Sequence, residues 1–151
     1  MSKDQARALQ AAISTMVRIQ KIMEPSLKTT HGTLKLAPPD IQTMRFISEH
    51  PGSMSNAVAR FLGVVPTTMS SIVDRLVKRG FVSRVRPEEN RRAVALHLTE
   101  AGADVFAKLA AEELESSERM LSFLNDAQRE EFVACAIKIA EGLERLKDQA
   151  E

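Results

Sequence analysis

Between Gly63 and Gly80 the chain places Thr67, Thr68, Ser70, Ser71, Asp74, Arg75 and Lys78 at spacings that share one side of a helix. Met69, Ile72, Val73, Leu76 and Val77 fall on the other side. Short hydroxyl side chains on an exposed helix face fit deep in a DNA major groove, where they reach base edges or phosphates. Arg75 and Lys78 lie further along the same helix and suit phosphates. Thr and Ser are mediocre in a helix interior, so their clustering on one face argues for use. Arg91 and Arg92 add a second cationic feature in a polar stretch after Pro87. Taken alone this is an ordinary exposed turn, but arginine on a projecting loop can also enter a narrow minor groove.

Elements that could position these residues are readable from periodicity. Residues 4–24 form a helical pattern through Leu9, Ile13, Met16, Gln20 and Met23, and Pro25 with the segment Lys28 to Leu36 is expected to interrupt it. Pro38-Pro39-Asp40 opens a second helix to residue 49, with Ile41, Met44 and Ile47 or Ser48 facing inward, and His50-Pro51-Gly52 stops it. A short helix from Ser55 to Leu62 follows, with Ser53 or Ser55 as its expected cap. Gly63-Val64-Val65 is a tight break before Pro66, which opens the hydroxyl-bearing helix, and Gly80 ends it. The layout from Gly63 to Gly80, with the helix before it, is that of a helix-turn-helix.

The period then changes to alternation. Val82 and Val85 beside Arg84 and Arg86 suggest one strand. Val94, Leu96 and Leu98 alternating with Ala93, Ala95 and His97 suggest another. The two make a β-hairpin with a charged tip. Thr99 is a good cap for a helix to about residue 123, with Phe106, Ala110, Leu114, Ser117, Leu121 and Leu124 on one side. Asn125 or Asp126 caps a last helix carrying Phe132, Val133, Ala136, Ile137, Ala140, Leu143 and Leu146. The terminal helices need somewhere to bury these stripes, and a second copy of the chain is the economical solution.

Composition limits the alternatives. The chain has 151 residues, of which 44% are hydrophobic, enough for one domain with a core. Its net charge of +1 hides an uneven distribution: residues 1–59 carry +3, residues 60–98 carry +5 and residues 99–151 carry −7. A basic middle suggests a local surface for a polyanion. Trp and Tyr are absent, which weakens any reading that stacks bases or sugars on aromatic platforms. The lone Cys135 excludes an internal disulfide, and its apolar neighbours make it a buried small hydrophobe rather than a redox switch. His31, His50 and His97 are far apart and define no metal site, so no metal or cofactor is expected. No nucleophile–base pair, carboxylate pair or phosphate loop is visible, so no enzyme is expected. The longest uncharged run, Phe61 to Val73, is thirteen residues and cannot span a bilayer. The start of the chain has no secretory pattern, and a cytoplasmic protein is expected.

The segment from Leu36 to Phe106 resembles the MarR family of bacterial winged helix-turn-helix regulators. The likeness rests on Leu62-Gly63-Val64, Pro66-Thr67-Thr68-Met69-Ser70, Val73-Asp74-Arg75-Leu76 and Lys78-Arg79-Gly80-Phe81-Val82. It continues through Asn90-Arg91-Arg92-Ala93-Val94 and Leu98-Thr99-Glu100-Ala101-Gly102. The resemblance implies a mainly α fold with a small β-hairpin wing. Residues 36–99 would form the DNA-binding winged helix-turn-helix lobe, and residues 1–35 and 100–151 the dimerisation helices of a single domain. It implies a sequence-specific regulator, a ligand-responsive repressor, acting as a homodimer on a double-stranded, pseudo-palindromic DNA operator. DNA contacts would come from Thr67, Thr68, Ser70, Ser71, Arg75 and Lys78 in the groove, and from Arg91 and Arg92 on the wing. A small-molecule effector would sit between dimerisation helices and lobe, and the sequence assigns it no residues. Three positions depart from the family pattern: Asn90 stands where an aspartate orients the wing arginine, Val65 where a capping or acidic residue is common, and Ser71 where a larger, often basic residue is common. These departures leave open a winged helix used as a protein-interaction module, or a degenerate regulator without specific DNA binding.

Overall fold

The computed structural model describes residues 2–27, 29–86 and 94–149. The element order is α1 (Lys3–Leu27), α2 (Thr30–Leu34), α3 (Pro38–Glu49), β1 (Ser53–Met54), α4 (Ser55–Leu62), α5 (Pro66–Lys78), β2 (Val82–Val85), β3 (Ala95–Leu98), α6 (Glu100–Leu121) and α7 (Asp126–Asp148). The chain divides into two units, residues 1–110 and 111–151, with the division inside α6.

In the first unit, α3, α4 and α5 enclose an apolar core with the sheet. Met44, Ile47, Val58, Met69, Val73, Leu76 and Leu96 are all essentially sealed from water. Leu36 and Ile41 close one side, and Leu109 of α6 another. The apolar members of each buried set follow the helical period that the sequence displays, as burial of one face requires. Ile47 takes the inward position and Ser48 is exposed.

The sheet has three strands in the order β1-β3-β2, all antiparallel. Val82 pairs with Leu98 and Val85 with Ala95, which fixes the hairpin register. Ser53 and Met54 pair with Leu96 and Ala95 as an additional edge strand. Two residues are too few to show alternation, so periodicity gave no sign of it. The Gly52 N–H also donates to Leu96 O at 2.9 Å.

Several local expectations are corrected. Helix α1 continues past Pro25 to Leu27; a proline this near a helix end removes one hydrogen bond with few left to disturb. The segment after it contains α2, capped by Thr29 Oγ1, which accepts the Gly32 N–H at 3.3 Å. Neither Ser53 nor Ser55 caps α4: Met54 holds the cap position without a side-chain bond, because Ser53 lies in β1 and Ser55 already lies in the helix. The inward face of α6 in this unit is Gly102, Val105, Phe106 and Leu109. Leu114, on the expected stripe, is 62% exposed in the single chain. The helix begins against Phe81, whose carbonyl lies where a Cβ on Gly102 would stand.

Thr99 caps α6 as expected: its Oγ1 accepts the Gly102 N–H at 3.0 Å and donates to Gly80 O. The Thr99 N–H donates to Phe81 O at 3.1 Å. These bonds join the end of α5 to the start of α6. In the second unit, Asn125 caps α7 by accepting the Gln128 N–H, and Gln128 reciprocates to the Asn125 N–H. Helix α7 leaves Val133, Ile137, Ile139, Leu143 and Leu146 exposed in the single chain. Cys135 on α7 is likewise exposed, not buried as its apolar neighbours suggest. Those neighbours are themselves uncovered. Among the described residues, no helix is long and apolar enough to cross a membrane.

Candidate nucleic-acid interface

The turn between α4 and α5 is built by Gly63, which adopts a left-handed conformation at φ +64°. The Val64 N–H then returns to Ala59 O at 3.0 Å, satisfying the end of α4. Pro66 occupies the first turn of α5, where its missing N–H costs nothing. Val65 supplies no side-chain cap, so the first amides of α5 carry no side-chain acceptor.

From this start α5 presents two faces. Met69, Ile72, Val73 and Leu76 are buried. Thr67, Thr68, Ser70, Ser71, Asp74, Arg75 and Lys78 are all exposed. Ser71 Oγ donates to Thr67 O at 3.2 Å, one turn back along the helix. That bond uses only the hydroxyl proton, so the oxygen can accept from a base edge as well.

Two of the charged groups have partners that the sequence did not reveal. Arg75 donates through Nε at 3.1 Å, and through Nη2, to Oδ1 of Asp40 on α3. Its guanidinium is therefore engaged and not free for phosphate alone. Asp74 accepts from Arg84 on β2, which ties the exposed face of α5 to the hairpin. Both partners are exposed, so the pair contributes little to stability. Its effect is on the surface charge, where it neutralises the acid on this face. No sequence period links a helix residue to a strand residue ten positions later, and so Arg84 was not singled out. Arg79 is engaged inward: its Nη2 donates to Leu34 O, and the guanidinium lies 5.1 Å over the Phe81 ring. Arg86 extends from the hairpin stem with its side chain exposed. Asn90, Arg91 and Arg92 lie outside the described residues. Among the described residues, no group of three His, Cys, Asp or Glu side chains could hold a metal ion.

A three-helix core whose last helix exposes one face, followed by a hairpin on a three-stranded sheet, defines a winged helix-turn-helix. The MarR family model matches residues 36–94, the stretch that forms this lobe. The chain is 26% identical over 117 residues to the HTH-type transcriptional repressor Rv2887 of Mycobacterium tuberculosis, covering 78% of this chain and 84% of that one. It is 23% identical over 132 residues to the HTH-type transcriptional repressor MdtR of Bacillus subtilis, covering 87% and 84%. Among solved structures it resembles Streptococcus pneumoniae FabT in complex with DNA, with a TM-score of 0.79, 22% identity, and 94% and 99% of the two chains covered. A MarR family protein from Bacillus stearothermophilus gives a TM-score of 0.78 at 17% identity, covering 95% and 99%.

Proposed function

We propose that this chain is a MarR-type transcriptional regulator that represses by binding a double-stranded operator as a homodimer. The observation that carries the reading is the hydroxyl-rich face of α5, exposed on a helix whose other face is buried in the core. Thr67, Thr68, Ser70 and Ser71 read base edges in the major groove, and Lys78 meets phosphate. Arg91 and Arg92 reach the adjacent minor groove from the wing. Uncovered apolar side chains on α1 (Leu9, Ile13, Val17) and on α7 (Ile137, Leu143, Leu146) support assembly with a second copy. A dimer places two recognition helices on half-sites about 34–36 Å apart, or a multiple of that. Residues 1–35 and 100–151 serve the dimer and residues 36–99 serve DNA. A small-molecule effector would release DNA by preferring a dimer shape that DNA disfavours.

The test is enrichment of duplexes from a randomised pool by the full chain, followed by binding of the enriched duplex and a scrambled control at about 50 and 200 mM salt. A footprint of 6–10 phosphates predicts a loss of about 10³–10⁵ in affinity across that range. Equal and weak binding to both duplexes would refute regulation through specific DNA recognition and favour a protein-interaction module.

A further inference from the structure

Asp40 is 1% exposed, a carboxylate removed from water near the start of α3. Its Oδ2 accepts the Ala37 N–H at 2.9 Å, and its Oδ1 accepts both Arg75 donors. Burial of a charge is costly without close partners. Here one backbone donor, one guanidinium and the positive end of α3 compensate it. Arg75 reaches it from the third turn of α5 while its side chain stays 46% exposed. Arg75 follows Ser71 by four residues and Thr68 by seven, so the gripped residue shares their stripe.

We propose that Asp40 is a positioning residue for DNA recognition. By holding Arg75 through two N–H groups it fixes the rotation and height of α5 on α3, so that Thr68 and Ser71 meet base edges in one geometry. This rests on the reading of α5 as the helix that enters DNA. It gives Arg75 a role different from that of a free cation. The charge of Arg75 is matched by Asp40 before DNA arrives, so Arg75 displaces few counterions on binding. Its substitution lowers discrimination between sequences and leaves the salt dependence in place.

The test uses Arg75→Lys, Asp40→Asn, the double variant and Lys78→Ala in the full chain. Each is measured against the duplex that the unsubstituted chain enriches and a scrambled duplex of equal length, over a salt series. Thermal melts confirm that each variant is folded at the assay temperature. Lysine keeps the charge of Arg75 but loses the two-donor fork. Arg75→Lys should therefore lower the preference for the enriched duplex about tenfold, the worth of one good base contact. Its salt slope should stay near that of the unsubstituted chain, whereas Lys78→Ala should reduce the slope by about 0.9. Asp40→Asn should cause the same loss of preference, and the double variant should be no worse than either single one. If Asp40→Asn does not fold, Arg75→Lys decides alone. Unchanged preference in Arg75→Lys would overturn the proposal, because charge alone would then suffice. A lower melting temperature with unchanged preference would overturn it too, because the pair would then be structural only. Failure of the unsubstituted chain to enrich any duplex would instead overturn the reading of α5 itself, and this proposal with it.

Discussion

Replacing Gly102 by alanine puts a methyl group where the carbonyl of Phe81 already lies. A Cβ at that position would sit 1.9 Å from the Phe81 oxygen and 2.8 Å from its carbon, and real Cβ atoms keep at least 3.0 Å. The start of α6 must therefore retreat by more than 1 Å. The bond from the Thr99 N–H to Phe81 O is already 3.1 Å long and would break. Loss of that bond costs about 1 kcal/mol, and the steric overlap costs about 1–3 kcal/mol. Alanine recovers about 1 kcal/mol because it is the better helix former. The net loss is about 1–3 kcal/mol, or a fall of about 2–12 °C in Tm for a chain of this length. The assay is thermal and urea unfolding of the full chain at one fixed protomer concentration, since dimerisation itself shifts apparent stability. An unchanged or raised Tm would mean that helix propensity outweighs the contact, and the close approach of α6 to Phe81 would be refuted.

Thr43 is fully buried and its hydroxyl has no hydrogen-bond partner among the described residues. Thr43→Val should be neutral or stabilise by up to about 1 kcal/mol in urea unfolding, and a clear loss would mean that the hydroxyl is bonded. Thr68→Ala should relax base preference by about 1–3 kcal/mol at one operator position, measured by competition among single-base variants. Lys78→Ala should weaken all duplexes alike, and equal loss of specificity in the two variants would refute their different roles. Ile137 is 53% exposed on α7. Ile137→Glu should weaken self-association at least tenfold, about 1.4 kcal/mol, in sedimentation equilibrium, because it buries an unpaired charge at an apolar contact. Unaltered association would remove this face from the dimer.

Faces were legible in the sequence where long stretches repeat one period. Met69, Ile72, Val73 and Leu76 leave no other inward face for α5, so the exposure of Thr67 through Lys78 follows directly. Turns were legible where glycine or proline is obligatory, as at Gly63 and Pro66. Contacts between distant segments were not. Asp40 looked like a first-turn acid of α3, and nothing local indicates that it grips a residue on α5. β1 escaped because two residues carry no pattern. The exposure of Cys135 departs from expectation because an apolar stripe shows that burial is wanted without saying whether the same chain supplies it.

The sheet order β1-β3-β2 leaves β1 and β2 as open edges. Unpaired strand edges recruit strands from other molecules, and folded proteins shield them by shortness or by charge. Here one edge uses each device. β1 offers only Ser53 and Met54, too short to seed a foreign ladder. β2 carries Arg84, held by Asp74 of α5, and the exposed Arg86 follows it directly. Two such edges meeting side by side would bring their Arg86 side chains together. The charge of Arg86 thus keeps neighbouring molecules from joining wing to wing. A substitution such as Arg86→Val would remove that guard, and aggregation at high concentration would follow without any loss of core packing.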